Sequence, residues 1–269
     1  MQRLVAFEMM RAEVEGGRGG MDGVKVTGAL KRVASLYLLL LLGACAGITP
    51  GVVEKLDGIR QVGIISAFGD RFQLRKVGVT VFGNESNEFP VAAWGIDDLV
   101  VGKVRTILGR RFDIRPLTYQ RAAFQSPNFG GIGAMVQAAA PTSGVDAYIV
   151  ITRATSQVGA TNQSVNGLGI LEASSPIYAS TYTIYALYVV SIINAKTFAS
   201  MGGVSALMPG EVPINPMRTT ALRGPHRQVD QSWWPTSLDA ASNQRLKGGV
   251  VELIDQSLAN TLQHLQLIN

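Results

Sequence analysis

Few residues of this chain could carry out acid–base or nucleophilic chemistry. The 269 residues include two histidines and a single cysteine. His226 is followed by Asp230 and by two serines, Ser232 and Ser237, so one hypothesis is a Ser-His-Asp hydrolase with His226 as the base. Such a triad requires three side chains to converge, and the sequence has no Gly-x-Ser-x-Gly turn. We therefore expect a non-enzymatic protein and keep a hydrolase as the alternative.

The residue types that bind metals or nucleotides are also scarce. The single thiol of Cys45 and the imidazoles of His226 and His264 do not suffice for a thiolate or multi-histidine zinc site. The glycine-rich segment 128–133 precedes a short apolar stretch, but it lacks the Lys-Ser/Thr of a phosphate-binding loop. Tight turning is the preferred explanation of its glycines, and we expect no metal and no cofactor.

Asp97 and Asp98 are adjacent acids that could be imagined as a general acid–base couple. They stand at the start of a segment with helical periodicity, where the helix dipole favours negative charge. Neighbouring residues on a helix point in different directions, so the two carboxylates are not expected to share a site. We expect them to act in helix initiation.

A cluster of arginine and tryptophan residues lies in a proline-rich region near the C-terminus. These are residue types enriched in binding hot spots, so the segment 217–235 is predicted to be an interaction surface. Adjacent aromatics on an extended chain point to opposite sides, which predicts that one of the two tryptophans is exposed. The predicted binding residues are Arg218, Arg223, His226, Arg227, Trp233 and Trp234.

An apolar run of about ten residues ends at Leu42 and is preceded by the basic residues Lys25, Lys31 and Arg32. Gly43 and Ala44 then supply the small side chains that a signal peptidase requires. A membrane-spanning helix needs about 20 apolar residues, so this run is too short to remain as a span. The pattern indicates a cleaved signal peptide.

The four residues Leu42-Gly43-Ala44-Cys45 resemble the lipobox of bacterial lipoproteins. The resemblance implies that Cys45 is acylated and becomes the first mature residue, which would hold the protein on a membrane. The alternatives are a plain cleavage site or a lone buried cysteine. Ala46 follows in place of the Asp that the family uses for inner-membrane retention. The resemblance therefore favours the periplasmic face of the outer membrane over the inner membrane.

These patterns divide the chain into four parts. Residues 1–20 contain three glutamates and are expected to be an artefactual or disordered extension, residues 21–44 a signal peptide, and residues 45–58 a tether. The remaining part, 59–269, is expected to be one periplasmic domain. From Cys45 onward there are 18 basic and 15 acidic residues, a net charge of +3. That charge is too small for a nucleic-acid-binding surface, so no nucleic-acid partner is expected.

Hydrophobic periodicity predicts a series of strands and helices in residues 59–269. We expect a hairpin of 60–68 with 72–82, a helix over 96–108, an edge strand at 112–117, a small helix after residue 133, and strands at 145–152 and 167–173. Residues 155–166 are expected to be a mobile loop. A long central strand at 180–195, a returning strand at 198–207, an irregular segment at 209–235 and a C-terminal helix at 246–265 complete the prediction.

This order predicts an α/β (α+β) fold with a single mixed sheet and helices packed on it, after the signal peptide. The segment 191–200 resembles the strand, Asp, Thr-Gly turn and strand of periplasmic α/β domains in two lipoprotein groups. These are the curli-secretion family and the activators of penicillin-binding proteins, and the likeness extends over about residues 59–265. Asn194 stands at the Asp position and Phe198 at the Gly position. The expected function is that of a lipid-anchored envelope protein that binds a protein or cell-wall partner, with an envelope hydrolase as the alternative.

Overall fold

The computed structural model describes residues 56–124, 131–140, 144–159, 161–174, 179–211, 222–235 and 242–268. All of them fall within one compact unit, Ile48–Asn269. The strands are β1 (Gln61–Ala67), β2 (Arg71–Val77), β3 (Glu85–Pro90), β4 (Asp113–Arg115), β5 (Ala147–Arg153), β6 (Thr155–Gln157), β7 (Ser164–Asn166), β8 (Leu168–Ala173), β9 (Thr181–Ala186), β10 (Tyr188–Asn194), β11 (Ser200–Ser205) and β12 (His226–Val229). The α-helices are α1 (Ile96–Leu108), α2 (Gly131–Ala139) and α3 (Gln244–His264).

The strands form two five-stranded sheets and one small hairpin. Sheet A has the order β11-β10-β5-β1-β4, sheet B has the order β12-β9-β8-β2-β3, and β6 pairs with β7. The predicted α/β class is therefore confirmed, because helices pack on mixed sheets. The prediction of a single mixed sheet is wrong, since the chain passes repeatedly from one sheet to the other.

The first crossing replaces the predicted hairpin. β1 lies between β4 and β5 in parallel pairs, whereas β2 pairs with β3 and β8 in the other sheet. The turn at Gly69 and Asp70 therefore redirects the chain into a second sheet instead of folding it back on β1. Local sequence contains the turn residues, but β4 and β5, which flank β1, come from much later in the chain.

The predicted long strand at 180–195 contains the second crossing. β9 belongs to sheet B and β10 to sheet A, and only Leu187 separates them. Tyr185 and Leu187 lie in one apolar cluster while Ile184 and Tyr188 lie in another, so both faces of this segment are buried, as predicted. The prediction of one strand in the middle of one sheet is wrong, because a strand that bends between two buried sheets has the same two-sided apolar pattern.

Two segments expected to be irregular contain regular structure. Residues 155–166 form the β6–β7 hairpin, so the prediction of a mobile loop there is wrong. The proline-rich region 209–235 includes β12, which pairs antiparallel with β9 at the edge of sheet B. Its backbone hydrogen bonds are supplied by a strand about 40 positions earlier, which local periodicity does not indicate.

Several predicted elements are confirmed. Helix α1 covers the predicted residues and buries Ile96, Val100, Val104 and Leu108, which recur every fourth position. β4 is an edge strand of sheet A, and β11 returns antiparallel to β10. Helix α3 begins where the Asn243 side chain accepts a hydrogen bond from the backbone N–H of Leu246.

Three apolar clusters fill the spaces between these layers. The largest lies between helices α1 and α3 and one face of both sheets, which we call the inner face. A second cluster packs α2 against the opposite face of sheet A, and it includes Tyr148, Ile65 and Val136. The third lies on the opposite face of sheet B, called the outer face of sheet B, where Val165 of the β6–β7 hairpin is buried together with Tyr185 and Leu171.

The turn after β10 contains Asn194 and Phe198, the two residues at which this chain differs from the pattern described above. The Asn194 carboxamide oxygen accepts hydrogen bonds from the N–H groups of Lys196 and Thr197, at 2.9 and 3.0 Å. Phe198 has a φ of 55°, in the left-handed region that favours glycine. Asn therefore provides the acceptor of an Asp, and Phe occupies a backbone conformation that glycine adopts with less strain.

A buried carboxylate fastens the first crossing to helix α1. Asp97 is only 3% exposed, and its Oδ1 accepts hydrogen bonds from Ser66 Oγ at 2.7 Å, Phe68 N at 3.0 Å and Gly69 N at 3.2 Å. Asp98 instead points outward and pairs with Arg121. The two adjacent acids therefore do not share a site, as predicted, but Asp97 does more than favour helix initiation.

We expect Asp97→Ala to lower the free energy of unfolding by about 3 kcal/mol, because it leaves buried donors at the crossing without an acceptor. Asp98→Ala is the matched control, and it should cost less than about 1 kcal/mol because it removes only an exposed ion pair. Urea denaturation followed by tryptophan fluorescence measures both values. Equal losses for the two variants would show that the Asp97 contacts do not hold the crossing.

Candidate functional site

Strand β12 carries the predicted binding residues and divides them between two faces of sheet B. His226 pairs in register with Tyr185, and Arg227 pairs with Ile184. Because Tyr185 belongs to the outer cluster and Ile184 to the inner one, His226 lies on the outer face and Arg227 on the inner face. The predicted binding residues His226 and Arg227 are therefore adjacent in the sequence but lie on opposite faces of the sheet.

On the inner face, Arg227 and Trp233 join β12 to helix α3. The Arg227 guanidinium carbon lies 5.1 Å from the centre of the Trp233 ring, and that of Arg245 lies 4.5 Å from it. Arg227 also pairs with Glu252 at 2.9 Å. The ring sits so close to Gly249 that a Cβ there would be 2.7 Å from its Cζ3 atom. These contacts assign Arg227 and Trp233 to holding the strand on the helix.

Neither tryptophan is exposed, so the prediction of one exposed ring is wrong. Both rings are half-buried and pack against the large inner cluster. Trp234 makes an edge-on contact with Tyr182, with ring centres 6.0 Å apart. The cause is a short 3₁₀ turn at Gln231–Trp233, which Asp230 caps by accepting a hydrogen bond from Ser232 N. The chain is therefore not extended at this point, and the two rings can point to the same side.

The hydrolase alternative required a serine hydroxyl next to His226. His226 Nδ1 instead donates to the carbonyl oxygen of Gly224 at 2.6 Å. The Ser232 hydroxyl donates to Asp230 and accepts from Arg245 Nη1 at 2.9 Å, and the hydrogen bond from Ser232 lowers the pKa of the Asp230 carboxyl. Within the described residues Ser232 and His226 are not hydrogen-bonded to each other. Ser232 is therefore not placed as the nucleophile.

Other predicted residues lie outside the part of the chain that the structure describes. They are Leu42, Gly43, Ala44 and Cys45 of the lipobox-like motif, Arg218 of the binding cluster, and Ser237. The predictions for these residues stay predictions.

A cavity of about 550 Å³ opens on the outer face of sheet B, beside the β6–β7 hairpin. Its volume is within the range of sites that hold small molecules or short segments of a partner. Its wall is formed by apolar side chains and by side chains that carry hydroxyl, amide or imidazole groups. The apolar members include Val77, Val158, Leu171 and Leu222, and the polar ones include Thr181, Thr183, His226 and Gln228.

Hydrogen bonds hold the β6–β7 hairpin beside this cavity. The Tyr185 hydroxyl donates to Gln73 Oε1 at 2.8 Å, and the backbone N–H of Asn166 reaches the same oxygen at 3.3 Å. Burial raises the pKa of Tyr185 well above its usual value, so its hydroxyl stays protonated as a donor. Ser156 Oγ accepts from the N–H of Arg223 at 2.7 Å. Arg223 thus contributes its backbone to the cavity region, while the residue itself is exposed.

Among the polar residues that line the cavity, the sequence analysis named only His226. Thr181 and Thr183 alternate with Tyr182 and Ile184 along β9, and Gln228 is two positions after His226 on β12. Strand periodicity places such alternate residues on one face. A search for polar residues at every second position could have found them, whereas a search for charge density could not.

The described residues supply little for a metal site or a membrane span. Within them, no group of three or more His, Cys, Asp or Glu side chains could hold a metal ion. In the same ranges, no helix combines the length and the apolar character needed to cross a bilayer.

Comparison with known proteins gives a structural likeness but no family. No protein-family model matches the chain, and no curated protein matches it significantly. Among solved structures, the chain is similar to the lipoprotein GNA1162 from Neisseria meningitidis, with 11% sequence identity and a TM-score of 0.25. The match covers 75% of this chain and 99% of that chain.

We expect Trp233→Ala to lower the free energy of unfolding by about 3 kcal/mol, because a large ring and two cation–π contacts are lost between β12 and α3. Arg223→Ala is the matched control within the same predicted cluster. Its exposed side chain should contribute less than about 0.5 kcal/mol. Chemical denaturation checks both, and a loss below about 1 kcal/mol for Trp233→Ala would contradict the role given to its ring.

Proposed function

We propose that the protein is a lipid-anchored, non-enzymatic component of the bacterial cell envelope. It is attached to the outer membrane through acylated Cys45 and binds a partner protein through the outer face of sheet B. The observation that carries the anchor is the motif Leu42-Gly43-Ala44-Cys45, which directly follows a short apolar run with basic residues before it.

The physical chemistry of the anchor fits this placement. Each buried methylene contributes about 0.8 kcal/mol, so two or three acyl chains on one residue hold a protein on a bilayer stably, whereas a single chain does not. Residues 45–58 then provide a short tether before β1 begins at Gln61. The folded domain would therefore stay close to the membrane that carries the acyl chains.

The open edge of β12 adds binding capacity beside the cavity. The N–H of Ala186 donates to the carbonyl of Pro225, which marks these two residues as a hydrogen-bonded pair. Such pairs alternate along an antiparallel ladder, so the backbone groups of His226 and Gln228 point away from β9. Their side chains line the cavity on the outer face. An extended segment of a partner could therefore bond to these backbone groups and place side chains in the cavity.

The division of roles on β12 separates binding from folding. Arg227 and Trp233 are engaged with helix α3, so they support the strand from its inner side. His226 and Gln228 face the other way, where no helix of the described residues covers them. We assign the partner contact to His226, Gln228, Thr181 and Thr183, with the exposed Arg223 at their margin.

The anchor is tested by Cys45→Ser. The variant should accumulate as an unprocessed precursor, because the sulfur that receives the first acyl group is absent. Wild-type protein should sediment with outer-membrane vesicles on a sucrose gradient, and mass spectrometry of its N-terminal peptide should show an acylated Cys45. An unmodified Cys45, or cleavage at another residue, would contradict the proposal.

The partner contact is tested by photo-crosslinking in intact cells. A benzoylphenylalanine at Gln228 should form a specific covalent adduct with one envelope protein. The same probe at Arg105, on the solvent-exposed side of α1, is the matched control and should not. Adducts of equal yield at both positions, or none at Gln228, would contradict a partner site on the outer face.

A further inference from the structure

The four edges of the two sheets differ in how they are protected against pairing with another strand. β3 carries Glu85, Glu88 and Pro90, and β4 has only three residues, two of them charged. Charges, prolines and short length are the devices by which proteins keep sheet edges from associating. β12 is only four residues long and forms part of the partner surface proposed above.

β11 at the edge of sheet A carries no charge or proline, and its pairing with β10 is irregular only at Met201, where the register shifts by one residue. Its six residues are Ser200-Met201-Gly202-Gly203-Val204-Ser205. Gly203 and Ser205 are exposed. Beyond the strand, the N–H of Leu207 donates to Thr261 Oγ1 of helix α3 at 3.0 Å.

The register of β11 shows which backbone groups face outward. The N–H of Ala206 donates to the carbonyl of Tyr188 at 2.8 Å, which makes these residues a hydrogen-bonded pair. Two positions earlier, Val204 faces Val190 in the same type of pair. By the alternation of an antiparallel ladder, Gly203 and Ser205 direct their N–H and C=O groups away from β10. The exposure of these same two residues agrees with this assignment.

We propose that β11 pairs antiparallel with β11 of a second copy of this chain, about a two-fold axis through Val204. In this register Gly203 bonds to Ser205 of the second copy and Ser205 bonds to its Gly203, which satisfies all outward groups of both residues. The two five-stranded A sheets join into one of ten strands.

The chemistry of the edge favours an identical strand as its occupant. A two-fold axis places each residue opposite a residue from the same strand, so an edge whose charges all have one sign brings like charges together. At β3, self-pairing would place acids near acids, whereas β11 has no charge to oppose. Glycine and serine side chains at the outward-bonding positions also let the second backbone approach closely.

The contact area of one strand pair is below that of a standard stable interface, so the dimer depends on local concentration. This part of the inference rests on the proposed lipid anchor, which confines copies to a membrane plane and raises their effective concentration. Val204 of the two copies would form a non-hydrogen-bonded pair with Cα atoms about 4.5 Å apart, a distance that a disulfide can bridge.

The test uses single cysteine substitutions in the full-length chain, in isolated membranes treated with a mild oxidant. Val204→Cys should give a disulfide-linked dimer on a non-reducing gel. Ser200→Cys is the matched control on the same strand. It should give none, because the two copies of position 200 would be separated by roughly 27 Å along the ladder. Adding Ser205→Lys to Val204→Cys should reduce the dimer about fivefold through like charges and lost close approach.

Each outcome decides the proposal. A dimer of Val204→Cys that is absent in Ser200→Cys and reduced by Ser205→Lys supports it. Equal dimer yields from both cysteines, no dimer, or an adduct whose mass includes a different protein would overturn it. Membrane fractionation of the same samples reports separately on the anchor. Loss of the membrane-bound fraction would contradict the proposed function, while a missing dimer in membrane-bound protein would contradict only the pairing of β11.

Discussion

Three backbone hydrogen bonds at the junction of the two sheets determine how the rest of the chain is arranged. Ala154 N donates to Leu187 O, Leu187 N donates to Gly167 O, and Gly167 N donates to Ala154 O, at 3.1, 2.7 and 3.0 Å. They close a ring at the level where β5 of sheet A ends, β8 of sheet B begins and the β9–β10 segment passes from sheet B to sheet A. Gly167 has a φ of 57°, so the chain can re-enter the ladder directly after the β6–β7 hairpin. The β6–β7 hairpin is thus inserted between β5 and β8 without disturbing the pairing of either strand. It forms one wall of the cavity.

The β1–β2 crossing lies outside this ring and needs a separate fastening. Asp97 supplies it, because one carboxylate oxygen collects the Ser66 hydroxyl and two N–H groups of the turn. A buried carboxylate is tolerated where hydrogen-bond donors surround it. Removal of the Asp97 side chain would leave these donors buried without an acceptor. Arg153, at the end of β5, adds an ion pair with Asp70 of the same turn. These contacts therefore connect the turn between β1 and β2 both to the start of α1 and to the end of β5.

The sequence predicted the positions of individual helices and strands far better than it predicted which strands pair with each other. Periodicity located α1, α3 and most strands, because each depends on residues within a few positions of one another. The sheet to which each strand belongs could not be predicted in this way, since Val62 of β1 pairs with Ala147 of β5, 85 positions later. A segment that bends between two sheets also has the pattern of one buried strand. Asp97 was assigned to helix initiation because its partners come from another element. The binding cluster was predicted by composition, but Arg227 and His226 are neighbours on a strand and therefore lie on opposite faces.

Contacts on the inner face of β12 also hold in place the strand whose outer face lines the cavity. Its wall includes the edge strand of sheet B, and an edge strand of four residues has few ladder bonds of its own. The inner face compensates, because Trp233 packs against Gly249 and Arg227 pairs with Glu252, so two positions of α3 hold the strand from behind. Any side chain larger than hydrogen at position 249 would push the ring outward and shift β12 with it. The position of Gln228 in the cavity wall thus depends on a helix that never touches the outer face, and the small residue at position 249 contributes to the shape of a site on the opposite side of the sheet.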